Sequence, residues 1–260
     1  MTVAYEGSPF KGWQRQLGED TVQQQLEDVI ARLFGVKAHV EGSGRTDAGV
    51  HALGQCAHVD LPRPWPLPSL LSAVNALLPD AITVRSLRPV PDSFHARFST
   101  RGKRYVYRIL CGPRRHVHLR AFFHCERRPL DIEAMRQAAR CLLGEHDFAA
   151  FATNPGHPRR FGTVRRIDRV HLRRHRHGVD IAVQGSGFLY NMVRTIAGCL
   201  RDIGRGRSSV DDFRAILAGR DRRAAGATLP AHGLYLMSVL YPRAALGSMH
   251  EICEGDRADE

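Results

Sequence analysis

Lysine is almost absent from this chain. Only three of its 38 basic residues are lysine, at Lys11, Lys37 and Lys103. An arginine-favouring genome accounts for such a bias. A need for guanidinium forks, which grip phosphates better than ammonium groups do, accounts for it equally, and the two readings are compatible. Long apolar runs are also missing: no stretch approaches the ~18 residues a membrane-spanning helix needs. The start, MTVAYEGSPFKGW, lacks the basic and apolar segments of a signal peptide. A cytoplasmic protein with no membrane association is therefore expected. The six cysteines (56, 111, 125, 141, 199 and 253) contain no Cys-x-x-Cys pair. That argues against structural zinc and for reduced thiols. The fourteen histidines are scattered, and no metal site is expected.

What is present is positive charge, unevenly placed. The net charge is +12, which suggests a polyanionic partner. Residues 1–90 carry 8 Lys/Arg and 9 Asp/Glu, whereas residues 91–260 carry 30 and 17. The whole excess lies in the second part. Arg159, Arg160, Arg165, Arg166, Arg169, Arg173, Arg174 and Arg176 crowd into 18 residues. Alternate positions of a strand share a face, so part of this set should point one way, as phosphate contact requires. A solvated hairpin is the plainer reading.

Periodicity orders the elements. Thr2 to Tyr5 reads as a strand. Thr21, with Gln24 three residues on, opens a helix that Gly35 stops. Val36–Val40 and Leu53–Leu61 read as strands. Prolines at 62, 64, 66 and 68 bar a helix until Ser69, and its apolar stripe ends at Pro79. Ile82–Leu87 is a fourth strand. The order β-α-β-β-α-β is ferredoxin-like and RRM-like. The same order is legible again downstream. It takes in strand Lys103–Cys111, helix Leu130–Leu143 and the hairpin Val164–Arg173 with Val179–Gln184. Helices Leu189–Ile203 and Val210–Leu217 come next, and strand Gly233–Tyr241 closes.

The hairpin connection of the first half holds the sharpest feature, Gly42-Ser43-Gly44-Arg45-Thr46-Asp47-Ala48-Gly49-Val50-His51. A long connection there is more often functional than structural, and its glycines let a ligand approach the backbone closely. Arg45, two residues from Asp47, is expected to lower the carboxyl pKa and keep the group ionised. A tight turn with a solvated ion pair is the alternative. Commoner motifs fail. Glu41 and Gln184 spoil both versions of the Gly-x-Ser-x-Gly elbow, Asp47 spoils Gly-x-Gly-x-x-Gly, and no P-loop Lys-Ser/Thr occurs.

The string GSGRTDAGVHALGQCAHVD resembles the signature of the tRNA pseudouridine synthase A (TruA) family. YEGSPFKGWQRQ with TVQQQLE, FHARFSTRGKRYVYRI, GFLYNMVRTIAGCL and PAHGLYLMSVLYP are similar to its other motifs, in order, over about residues 3 to 243. Ser43 departs from a common Ala, and the chain starts a few residues short of the usual first strand. The resemblance implies an α+β enzyme of two ferredoxin-like, RRM-like domains with antiparallel sheets, the pseudouridine synthase fold, and a cleft between them. The expected domains are residues 1–98 and 99–245, with 246–260 a disordered acidic tail. It further implies a homodimer, without metal or organic cofactor, that isomerises uridine to pseudouridine at positions 38, 39 and 40 of the tRNA anticodon stem-loop. Asp47 matches the catalytic aspartate, Tyr105 the active-site tyrosine, Arg194 the arginine paired with the aspartate, and Arg45 the arginine of the signature loop. Tyr105, Arg45, Phe188, Leu189, Arg97, Arg165 and Arg169 are the expected substrate contacts.

The chemistry suits this inventory. The N1–C1′ bond breaks, the base turns and C5 bonds to C1′, with no redox change. A carboxylate near the ribose and an aromatic ring for a flipped base are required. Whether Asp47 attacks the sugar, attacks the base or removes a 2′ proton stays open at this level. Tyr105 also reads as an ordinary sheet aromatic, and Phe188 and Leu189 as ordinary core. Two rivals stand: a non-catalytic RRM-like RNA-binding module, although no RNP1 pattern is evident, and a synthase of the same type with other RNA targets.

Overall fold

The computed structural model describes residues 1–113, 117–153 and 162–246. The first half runs β1 (Thr2–Tyr5), α1 (Val22–Phe34), β2 (Glu41–Gly42), β3 (His51–His58), α2 (Leu67–Leu77) and β4 (Ile82–Ser86). The second runs β5 (Gly102–Cys111), β6 (His124–Glu126), α3 (Ile132–Arg140), β7 (Gly144–Asp147), β8 (Val164–His175), β9 (Gly178–Gly185), α4 (Met192–Gly204), α5 (Val210–Gly219) and β10 (Leu234–Leu240).

Local chemistry sets most of the boundaries. Thr21 is extended ahead of α1 and its hydroxyl accepts from the Gln24 N–H, while Gly35 closes the helix at φ 74°. Ser209 and Asp212 form a reciprocal cap on α5. Two expectations need correction. Helix α2 begins at Leu67, not Ser69, because a first-turn N–H has no helical partner and Pro68 loses nothing there. The expected strand Val36–Val40 does not form. The Val40 N–H donates to the Glu27 carboxylate on α1 at 3.1 Å instead of to a neighbouring strand, and only Glu41–Gly42 pairs with β3. Strands β6 and β7, three and four residues long, carry too little pattern to be read. Of the tail expected over 246–260, only Leu246 is among the described residues.

Each half keeps the expected neighbours, β4-β1-β3 with β2 on β3, and β10-β5-β9-β8. The two separate antiparallel sheets expected from the sequence are nevertheless one mixed sheet. Strand β10 lies parallel to β3, joining Tyr235 to His51 and Leu236 to Ala52, and antiparallel to β5. The helices cover one face. There Val3, Tyr5, Ala52, Tyr105, Tyr107, Ile181, Val183 and Leu236 meet the apolar sides of the helices in a continuous core. The seam couples the loop to the second half. Strand β10 touches β3 just after the Gly-rich loop, and its Leu236 is also the register partner of Tyr105.

Gly54 sits at this seam, where a Cβ would stand 2.4 Å from the Met237 carbonyl oxygen. Gly54→Val should therefore force the strands apart and cost about 1–3 kcal/mol. A thermal melt should show a fall of several degrees, and an unchanged melting temperature would refute the tight seam.

Candidate active site

The Gly-rich loop opens onto a cleft of about 1020 Å³. The cleft collects Asp47, Tyr105, Arg194, Arg45, Phe188, Leu189, Arg97 and Arg165, eight of the nine residues expected from the sequence. Arg169 is not among them. It lies on the exposed face of β8, because the register slips between Ile167 and Arg169. That irregularity turns the strand's alternation over, so Arg165 and Arg169 point to opposite sides. Arg159 and Arg160 of the same cluster lie outside the described residues.

The loop is braced on both sides of Asp47. The Thr46 carbonyl accepts from the Trp13 N–H at 3.0 Å, and the Thr46 hydroxyl meets the Tyr5 hydroxyl at 2.7 Å. Gly12, at φ 96°, allows that approach, since a Cβ there would lie 2.6 Å from the Thr46 oxygen. After Asp47 its own carbonyl accepts from the Val50 N–H at 3.1 Å, with Gly49 at φ 77°. Upstream, the buried Ser43 hydroxyl donates to Gln55 at 2.7 Å, and Gln55 returns a bond to the Gly44 carbonyl. The Ser43 departure is thus accommodated by a hydrogen bond within the loop's support.

The electrostatics overturn the expectation for Arg45 and meet the one for Arg194. Arg45 does not pair with Asp47; its Nε donates to Gln14 at 3.0 Å and its side chain is exposed. Arg194 is the cation beside Asp47, with Nη1 3.7 Å from Oδ2. Desolvation raises the Asp47 carboxyl above its ordinary value, and the Arg194 charge only partly offsets this. The guanidinium is fixed from behind. Its Nε donates to the Leu229 carbonyl and its Nη1 to the Asn191 amide oxygen, both at 2.7 Å. Asn191 takes the left-handed conformation, φ 64°, and so ends the loop where α4 starts; the helix expected from Leu189 begins three residues later for that reason. Tyr105 stands against Phe188 edge to face, ring centroids 5.0 Å apart. Burial holds its phenol protonated far above the usual range.

Several wall residues lie within the motifs quoted above but were not singled out among the expected site residues. Lys103, two before Tyr105 on β5, donates from Nζ to the Ser43 carbonyl at 2.9 Å. Burial first, and then Arg97, lower it to about 8. Its rarity as one of three lysines was the available signal. Asn191, Trp13 and Leu234 also line the cleft, and nothing in their spacing marks them. Among the described residues of the wall, the five cations Arg45, Arg97, Lys103, Arg165 and Arg194 face only Glu41 and Asp47. The result is a cationic cleft, large enough for a nucleotide, with one desolvated carboxylate beside a fixed guanidinium and a buried aromatic ring.

The sequence profile of the family described as "tRNA pseudouridine synthase" matches residues 1–99 and 138–242. A protein of Syntrophotalea carbinolica named tRNA pseudouridine synthase A is 44% identical over 241 residues, covering 93% of this chain and 95% of its own. Namesakes from Allorhizobium ampelinum, 41% identical over 93% of this chain and 94% of theirs, and from Bacillus pumilus, 42% identical over 92% and 97%, are similarly close. With the family profile matching most of the chain and relatives above 40% identity over more than nine-tenths of it, the chain belongs to the tRNA pseudouridine synthase family.

Proposed function

We propose that this chain isomerises uridine to pseudouridine in the tRNA anticodon stem-loop, at positions 38, 39 and 40, as an aspartate-dependent cytoplasmic homodimer. The observation that carries the catalytic part is Asp47: a half-buried carboxylate beside Arg194, in a cleft whose wall brings five cations together with only one other carboxylate, Glu41. A passive RNA-binding module has no use for a desolvated carboxylate, which repels the phosphates it must hold. In this reading residues 1–98 supply the acid group and residues 99–245 supply Tyr105, Arg165 and Arg194.

Asp47 acts on the target nucleotide. Three first steps are open to its carboxylate: attack on C1′, attack on the base, or removal of the 2′ proton. A uridine deuterated at C2′ separates the last from the others by its primary isotope effect. Arg194 orients Asp47 and favours its charged form. In this reading the Tyr105 ring stacks on the extruded uracil, and its hydroxyl relays the C5 proton by passing its own proton on as it takes that one. Phe188 and Leu189 shape the pocket, while Arg45, Arg97 and Arg165 meet the backbone. Arg169, on the other side of β8, has no part in the cleft. The reaction breaks one glycosidic bond and makes another at the same oxidation level, so it calls for no redox cofactor.

Asp47→Asn keeps the shape and removes the charge. Pseudouridine mapping by carbodiimide chemistry should find no product from this variant, while tRNA affinity persists. Substantial product would remove Asp47 from the mechanism.

The raised Asp47 carboxyl sets the acid limb of activity. Below its pKa the group is protonated and turnover falls, so the limb should lie above the ordinary aspartate value. Arg194→Gln removes the charge that opposes desolvation. Its acid limb should move to still higher pH, on top of a lower plateau. An unmoved limb in a pH profile of single-turnover rate would refute the coupling.

Lys103 sets an alkaline limb on binding. Its charge is lost as pH rises through about 8. RNA affinity should therefore weaken between pH 7 and 9 in the parent and stay flat in Lys103→Met, which is weaker throughout. Parallel profiles for the two proteins would exclude Lys103 as an RNA contact.

A further inference from the structure

Two large rings stand in solvent at the mouth of the cleft and have no place in the isomerisation chemistry. Phe98 is 69% exposed and Tyr190 47%; both line the cleft. They come from different halves of the chain. Scattered exposed apolar residues are normal, but Phe98 is also rigidly presented. It sits on a turn in which the His95 Nδ1 accepts from the N–H groups of Arg97, at 3.1 Å, and Phe98, at 3.4 Å. Ser99 closes the turn, its N–H donating to the His95 carbonyl at 2.9 Å while its hydroxyl accepts from the His95 N–H at 3.0 Å.

The turn is fastened to the sheet. The Ala96 N–H donates to His58 on β3 at 3.3 Å, and the Ala96 carbonyl accepts from the Tyr241 hydroxyl. Phe94 is buried against both the Tyr241 and His58 rings. Behind Phe98, the His95 ring lies 4.4 Å away, and the Arg97 guanidinium stands 5.7 Å from its centroid. This much local order spent on holding a ring in water is preorganisation for a partner. The neighbouring cations Arg97, Lys103, Arg45 and Arg165 fit a partner that combines negative charge with flat π faces.

We infer that Phe98, backed by His95 and flanked by Arg97, is a stacking platform for an unpaired nucleobase next to the target uridine, with Tyr190 a second platform at the same mouth. The inference rests on reading the cleft as an RNA site. It adds a subsite at the mouth of the cleft, one that holds a base once it has left its stack, because a stacked base offers no free face to the ring.

The test uses the full chain and a short RNA hairpin with the sequence of a tRNA anticodon arm, carrying 2-aminopurine beside the target uridine. The parent should quench the 2-aminopurine on binding. Phe98→Ala should lose that change and bind about 5- to 150-fold more weakly, the span of one base–aromatic stack. Phe98→Trp should bind like the parent. Phe98→Leu keeps apolar bulk without the ring and should stay weak. Alanine-variant affinity within about twofold of the parent, or parental affinity restored by leucine, would overturn the platform. Melting temperatures of the variants equal to the parent's confirm that the loss is not unfolding; with a lowered melt, the contrast between Leu and Trp still decides. The synthase reading is read separately: a parent that binds the hairpin but leaves its uridine unconverted refutes that reading, and the affinity series still judges Phe98.

Discussion

A half-buried carboxylate beside a fixed guanidinium is the constraint around which the rest of this molecule is arranged. Desolvation raises the Asp47 carboxyl and so works against the charged form that a base or nucleophile needs. A cation held too close would bind it in a tight salt bridge and leave no oxygen for substrate. Arg194 stands between these limits. Its 3.7 Å approach to Asp47 is longer than a hydrogen bond, while its shorter bonds go to Leu229 and Asn191. The guanidinium is thus anchored by neutral oxygens and lends only its charge to the carboxylate.

Asp47 and Arg194 lie far apart in the chain, and the sheet is what brings them together. Strand β10 bridges the halves, touching β3 where the Gly-rich loop ends and β5 where Tyr105 sits. A cleft between two independently hinged domains would need to close on its substrate before the carboxylate met the ring. Here a shared ladder fixes loop and ring before RNA arrives, so the geometry is preorganised and less ordering is needed at the moment of reaction. The close approaches along this path occur at glycines. Gly54 faces the Met237 carbonyl, and Gly233 lies under the Tyr107 ring, whose hydroxyl bonds to the Pro230 carbonyl at 2.8 Å.

Much of this was legible in the sequence because it is local. Glycine spacing marked the loop, and the motif around Tyr105 marked the ring, which the structure sets in the core with Tyr107 two residues on along β5. What was not legible depends on distant partners. Val36–Val40 has a strand's composition, yet the Glu27 carboxylate captures the Val40 N–H. The slip after Ile167 inverts half of β8, and no residue type there announces it. Arg45 is the nearest cation to Asp47 in sequence, but Gln14 draws it away, and only the family motif, not local spacing, pointed to Arg194. Joining two antiparallel halves through one parallel pair is likewise a tertiary event, invisible to periodicity.

The kind of cation matters as much as its charge. Arginine dominates the chain, and at position 194 only arginine serves. Its fork donates to Leu229 and Asn191 while remaining charged beside Asp47, which a single ammonium group cannot do in the same directions. Position 103 reverses the logic. The Lys103 ammonium reaches the Ser43 carbonyl alongside Gly44, where a Cβ would lie 2.4 Å from Nζ. A planar guanidinium would need room that the loop backbone occupies. One of the three lysines therefore stands where a compact, titratable charge fits against the catalytic loop, and a general preference for arginine does not by itself account for the cleft. The two cations act on the same loop from opposite sides of the chemistry: Arg194 on the carboxylate, Lys103 on the backbone that presents it.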